Sequence, residues 1–101
     1  MVENFQTELV INSRPIALNE FAHGYITRIV ICAVSMFKGG ENVKELIYTI
    51  DGKESNLIIN SKHISLSPFP NGALFGTISG MVSALRGVNK LDTLKIEIKL
   101  I

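Results

Sequence analysis

Apolar residues fall along this chain in two kinds of pattern. Short runs rich in β-branched and leucine residues, "ELVI" and "PIAL", then "NLII" and "HISL", read as brief strands. Each pair is joined by Asn-Ser plus a basic residue, and asparagine tolerates the positive φ of a tight hairpin. Longer stretches near 20–38 and 68–86 read as helices. Asn19 and Ser67 are suitable N-caps, and Pro68 falls on the first helical position, where its missing N–H costs nothing. Lys38 and Arg86 stand where the last turn would be, and Gly39 and Gly87 follow as stops. A third strand-like run closes each set, "VKELIYTI" and "LDTLKIEI".

The two sets resemble each other. With the chain slid by 48 positions, residues 8–50 lie on residues 56–98 without a gap, and thirteen of the 43 pairs are identical. They include Asn12/Asn60, Ser13/Ser61, Phe21/Phe69, Gly24/Gly72 and Gly39/Gly87. This predicts an internal duplication, repeat 1 over 8–50 and repeat 2 over 56–98, each a ββαβ unit in pseudo-twofold relation to the other. Asp51-Gly52 between the repeats is a hairpin signal, pairing the last strand of one with the first of the next. The expected fold is therefore α+β: a single domain over 1–101, with two helices on one mostly antiparallel six-stranded sheet.

Plotted at 100° per residue, helix 1 has a wide apolar arc of Phe21, Tyr25, Ile26, Ile29, Cys32, Ala33, Met36 and Phe37. Its polar side holds Glu20, His23, Gly24, Thr27, Arg28, Ser35 and Lys38, interrupted by Ile31 and Val34. The arc is wider than one sheet face covers, so the sister helix is expected on its flank. Helix 2 carries Gly72, Gly76, Gly80 and Ala84 at four-residue spacing, a flat ridge where helix 1 has mostly large residues. Such a ridge suits close packing on the sheet, on helix 1 or across a dimer; the alternative is the floor of a ligand groove.

Charge narrows the function classes. Of 101 residues, 19% are charged, and the net charge is +1. Residues 1–50 hold four basic and five acidic side chains, and residues 51–101 hold six and four. Neither half has the basic excess of a nucleic-acid surface. The longest apolar run, "IVICAV", is far short of the roughly 20 residues a membrane span needs. "MVENFQTE" lacks the basic and apolar regions of a signal peptide. The expectation is a soluble, cytoplasmic protein that binds neither nucleic acid nor membrane.

Candidate chemistry is sparse. Cys32 reads as a buried thiol of helix 1, with Arg28 one turn away as a conceivable activator. His23 and His63 are the only histidines and have no clustered partners, so neither a metal site nor another cofactor is expected. "GTISG" around Ser79 has the wrong glycine spacing for a nucleophile elbow. The repeated tips "INSR" and "INSK", with Arg14 and Lys62, read as turn chemistry or as paired anion- or partner-binding tips. The leading expectation is a non-enzymatic protein-binding or assembly module, a homo-oligomer or bound to another protein through a helical flank or sheet edge. Gly72, Gly76, Gly80, Ile31 and Val34 are its candidate surface. The alternative is a small-ligand protein or small enzyme with a pocket between the helices, using Arg28, His23, Tyr25 and Cys32.

Overall fold

The computed structural model describes residues 4–85 and 87–101. In chain order the elements are β1 (Phe5–Ile11), β2 (Arg14–Ile16), α1 (Glu20–Val34), β3 (Glu45–Asp51), β4 (Glu54–Ile59), β5 (Lys62–Ile64), α2 (Pro68–Ser83) and β6 (Thr93–Leu100). The six strands form one sheet in the order β2-β1-β6-β3-β4-β5, and every neighbouring pair is antiparallel. The protein is α+β.

The turns follow from their residues. Asn12 and Ser13 have φ of 52° and 67°, and Asn60 and Ser61 have 53° and 69°. Positive φ at both central positions defines the type I′ turn that matches strand twist. The asparagine side chains do more than permit this geometry. Asn12 Oδ1 accepts from the Asp92 and Thr93 N–H groups at 2.8 and 2.9 Å, and its Nδ2 donates to Lys90 O at 2.6 Å. Asn60 makes the equivalent bonds to Lys44 N, Glu45 N and Asn42 O. Each hairpin tip thereby fixes the entry of the strand that lies beside it. The β3–β4 turn is shifted by one residue from the expected Asp51-Gly52. Asp51 pairs with Glu54, so Gly52-Lys53 forms the loop, with Gly52 at φ 65°. Glycine as first loop residue favours a type II′ turn.

Both helices are shorter than their sequence pattern predicts. Asn19 caps α1 through a 2.7 Å bond from Ala22 N–H, but Ser67 makes no side-chain cap bond. α1 stops at Val34, because the chain tightens there into i→i−3 bonds, Phe37 N–H to Val34 O among them, and Ser35 Oγ donates back to Cys32 O. Lys38 thus lies beyond the last turn, and Arg86 is outside the described residues. Gly39 takes φ 96°, and Gly40 is pressed against the Val34 carbonyl, where an added Cβ would be 2.7 Å from the carbonyl carbon and closer still to its oxygen. Both glycines are needed, the first for conformation and the second for space.

Strict alternation along the strands builds the core on one sheet face. Leu9, Ile11, Leu46, Tyr48, Ile50, Leu57, Ile59, Leu94, Ile96 and Ile98 are buried there. Ile26, Val30 and Val34 of α1, and Leu74, Ile78 and Val82 of α2, close over them. Among the described residues Tyr48 is the one fully buried aromatic, and none of them gives its hydroxyl a hydrogen-bond partner. Burial holds its ionisation above the ordinary 10.0, with nearby Ser55 pulling weakly the other way.

Two tests follow from these contacts. Asn60→Ala removes three backbone bonds at once and should cost about 2 kcal/mol in urea denaturation; Asn60→Asp, which keeps the acceptor, should cost less. Because the unfolded chain releases the Tyr48 proton near its ordinary 10.0 and the folded chain only above it, stability contributed by this group is full below that pH and falls as pH rises past it. Tyr48→Phe should flatten the alkaline side of the stability–pH curve; an unchanged curve would contradict the burial argument.

Candidate functional site

Orientation of α1 is the main departure from the sequence pattern. The side facing the sheet is Ile26, Thr27, Val30 and Val34, not the centre of the wide apolar arc. Burying Thr27 costs little, because its polar atoms are satisfied. Thr27 Oγ1 donates to His23 O at 2.6 Å and shares a 2.5 Å bond with Thr7 Oγ1 of β1. The Thr7 N–H in turn donates to His23 Nε2 at 3.1 Å, which requires that imidazole nitrogen to be unprotonated. The rotation leaves Phe21, Tyr25 and Met36 on the outside, exposed by 78%, 49% and 83%. Cys32, expected inside, is exposed beside them.

The outer side of α2 differs in kind. Phe69 at its start is 84% exposed. Beyond it the outward residues are small: Ala73, Gly76, Gly80 and Ala84. A Cβ added at Gly72, Gly76 or Gly80 would meet nothing within 4 Å. The glycine ridge therefore packs on neither the sheet nor α1. Glycine inside a helix costs about 1 kcal/mol relative to alanine, and among the described residues nothing occupies the space that side chains would fill there.

The helices lie side by side and run antiparallel. One groove between them, about 680 Å³, joins the first half of α1 (Phe21, Tyr25, Ile29) to the last part of α2 (Gly80, Met81, Ala84). A smaller one, about 280 Å³, joins Met36 and Phe37 to Phe69, Pro70 and Ala73. The result is a largely apolar outer layer, with Thr77 between the two grooves and Arg28 as an outward charge, and that guanidinium leans back over Gly24, whose added Cβ would sit 3.0 Å from Arg28 Nη1.

Of the four candidate ligand residues, only Tyr25 lines the large groove. His23 is engaged with β1, Arg28 leans toward Gly24, and Cys32 faces outward. Of the candidate surface residues, Gly72, Gly76 and Gly80 are exposed, Ile31 is half-buried and Val34 is fully buried. Reading the sequence missed Phe21, Met36 and Phe69 as surface residues. Their signal was present: Phe21 and Phe69 are an identical pair in the 48-residue comparison, placed in the first turn of each helix.

The opposite sheet face carries ion pairs beside the half-buried Val10, Ile47 and Ile58, with more acidic than basic side chains. Lys99 Nζ lies 3.2 Å from Glu97 and 4.0 Å from Glu45, and Lys95 Nζ lies 4.0 Å from Glu97. Hydrogen bonding and charge from Glu97, with charge from Glu45, hold the Lys99 ammonium above its ordinary range. His63 Nε2 sits 3.2 Å from Asn56 Oδ1 on the β4–β5 side. The asparagines of the hairpin tips are occupied by backbone bonds, as turn chemistry requires. Among the described residues no group of three or more His, Cys, Asp or Glu could hold a metal ion, and no helix is long and apolar enough to cross a membrane. No protein-family model, curated protein or solved structure matches the chain.

Glycines of the two settings should respond in opposite ways. Gly40→Ala drives a methyl group into the Val34 carbonyl and should cost more than about 2 kcal/mol. Gly76→Ala, measured on dilute protein, should gain up to about 1 kcal/mol from helix propensity. A loss at Gly76 as large as that at Gly40 would mean the ridge is packed within the chain.

Proposed function

We propose that this protein is a non-enzymatic binding and assembly module that works through the outer surface of its helix layer. The observation that carries this reading is the outward placement of Phe21, Tyr25, Met36 and Phe69 around a glycine ridge with open space above it. Taking about 200 Å² for a side chain of this size, these four expose on the order of 600 Å² of largely apolar surface. That is the upper end of the roughly 300–600 Å² of the largest apolar patch on an ordinary monomer, and such patches are often functional. The sheet edges support the same choice: β2 and β5 are three residues long, and β2 contains Pro15, features that discourage strand addition. The pairing of Lys95 and Lys99 with glutamates gives no support to nucleic-acid binding.

We infer further that the chain arose by duplication of a ββαβ unit. The sequence identity at a 48-residue offset is supported by matching φ values at both Asn-Ser turns and by the matching Asn12 and Asn60 bonds. A unit of about 50 residues has a marginal core and gains by pairing.

A second reading rests on the 680 Å³ groove, which falls within the size range of small-molecule sites. Tyr25, Asn19 and Thr77 would provide its polar groups. A monomer retaining extra mass in native mass spectrometry would favour this reading.

Sedimentation velocity tests the leading one. At about 100 µM, a complex of micromolar affinity is nearly saturated, and the purified protein should sediment as a species heavier than 11.1 kDa. Phe21→Ser combined with Phe69→Ser should return it to that mass with the fold intact by circular dichroism. A heavy species that survives both substitutions would move the assembly to another face.

A further inference from the structure

We propose that the occupant of the helical face is a second copy of this chain, docked so that α1 of each copy lies on α2 of the other. This rests on the helical-face reading above and specifies its partner and geometry. A monomer of 11.1 kDa exposes about 5,700 Å² by the general scaling of surface with mass. This chain exposes 6573 Å², an excess of roughly 900 Å², close to the ~800 Å² each partner contributes to a standard interface. The flat shape of the chain, 18 Å across its thin dimension against 34 and 30 Å, puts much of this excess on its two broad faces. Of those faces, the sheet side carries the ion-paired Glu45, Lys95, Glu97 and Lys99 with its apolar Val10, Ile47 and Ile58 half-buried, whereas the helix side holds the large exposed apolar side chains around one outward charge, Arg28.

Relief on the helix side decides the arrangement. At matching positions, offset by 48, both helices begin outward with phenylalanine, Phe21 and Phe69; beyond that turn α1 and the residues just after it read Tyr25, Arg28, Cys32, Met36, and α2 and its C-cap read Ala73, Gly76, Gly80, Ala84. One helix is a ridge and the other is flat. The inward positions show no such contrast: Ile26, Val30 and Val34 match Leu74, Ile78 and Val82. Within the chain the ridge and the flat lie side by side and do not meet, since nothing approaches the added Cβ positions of Gly76 and Gly80. A twofold axis parallel to the helices and between them brings them together twice. It sets Phe21 and Tyr25 over the partner's Gly80 and the partner's Ala84, because these residues share one level along the antiparallel pair. At the other end it sets Met36 beside the partner's Ala73 and the partner's Phe69. The interface is isologous and closes at two copies. An axis perpendicular to the helices would oppose ridge to ridge and leave both flats facing a void.

The test combines association with cross-linking. Gly80→Leu fills the flat where the structure has open space, so the fold should persist by circular dichroism while the dimer dissociation constant rises roughly a hundredfold. Ala73→Cys places a thiol under Cys32 of the partner, and mild oxidation should give an interchain disulfide on a non-reducing gel, absent from the wild type and from Cys32→Ser/Ala73→Cys. A wild type that stays monomeric at about 100 µM overturns the proposal. A dimer that is lost with Phe21→Ser/Phe69→Ser but neither cross-links nor responds to Gly80→Leu overturns the arrangement and leaves the helical-face reading standing. A dimer indifferent to all these substitutions overturns both.

Discussion

Insertion of the C-terminal strand at the centre of the sheet is the constraint on which the rest depends. β6 lies between β1 and β3, with Leu94, Ile96 and Ile98 registered against Ile11, Leu9 and Thr7 on one side and Ile50, Tyr48 and Leu46 on the other. Within the sheet, β1–β2 and β3–β4–β5 meet only through this strand. Its register sends every core residue to one face, so both helices must cover that face. A two-layer protein of this kind buries one side of each helix and leaves the other outward. What each helix places on its outer side is then free of the demands of the core, and here that freedom is used for an exposed phenylalanine at the start of both helices, then large residues along α1 and glycine along α2.

Polar detail enforces the same geometry. Asn12 and Asn60 tie each hairpin tip to the start of a neighbouring strand, and this couples turn to register more tightly than hydrophobic alternation alone. On the other side of the core, the Thr7–Thr27–His23 cluster sets the rotation of α1 against β1. Satisfied hydrogen bonds let polar side chains occupy a buried position, and the displaced aromatic residues go outward.

Much of the fold was legible in the residues. Alternating β-branched runs marked the strands, Asn-Ser and Asp-Gly marked the turns to within a residue, and Asn19 and Pro68 marked the helix starts. Strand order was not legible, because any antiparallel order satisfies local alternation, and the placement of β6 is decided by long-range pairing. Helix ends were overrun because Lys38 and Gly39 look like a last turn and stop, while the chain had already tightened at Ser35. The rotation of α1 was misread for a different reason. Hydrophobicity ranks Phe21, Tyr25, Cys32 and Met36 above Thr27, and only the contact with Thr7 reveals that threonine is the buried one. The glycine ridge was visible from its spacing alone, but whether space or side chains lay above it needed coordinates.

Small-angle X-ray scattering reports whether a second copy covers the helix layer. One copy has a Cα radius of gyration of 12.6 Å. Two copies stacked through helix layers roughly 10 Å apart have centres roughly 20 Å apart, which raises the radius to about 16 Å and doubles the forward scattering. That result is predicted at high concentration, falling to the single-copy value on dilution. A radius that stays near 12.6 Å at every concentration would mean that no second copy covers the helices.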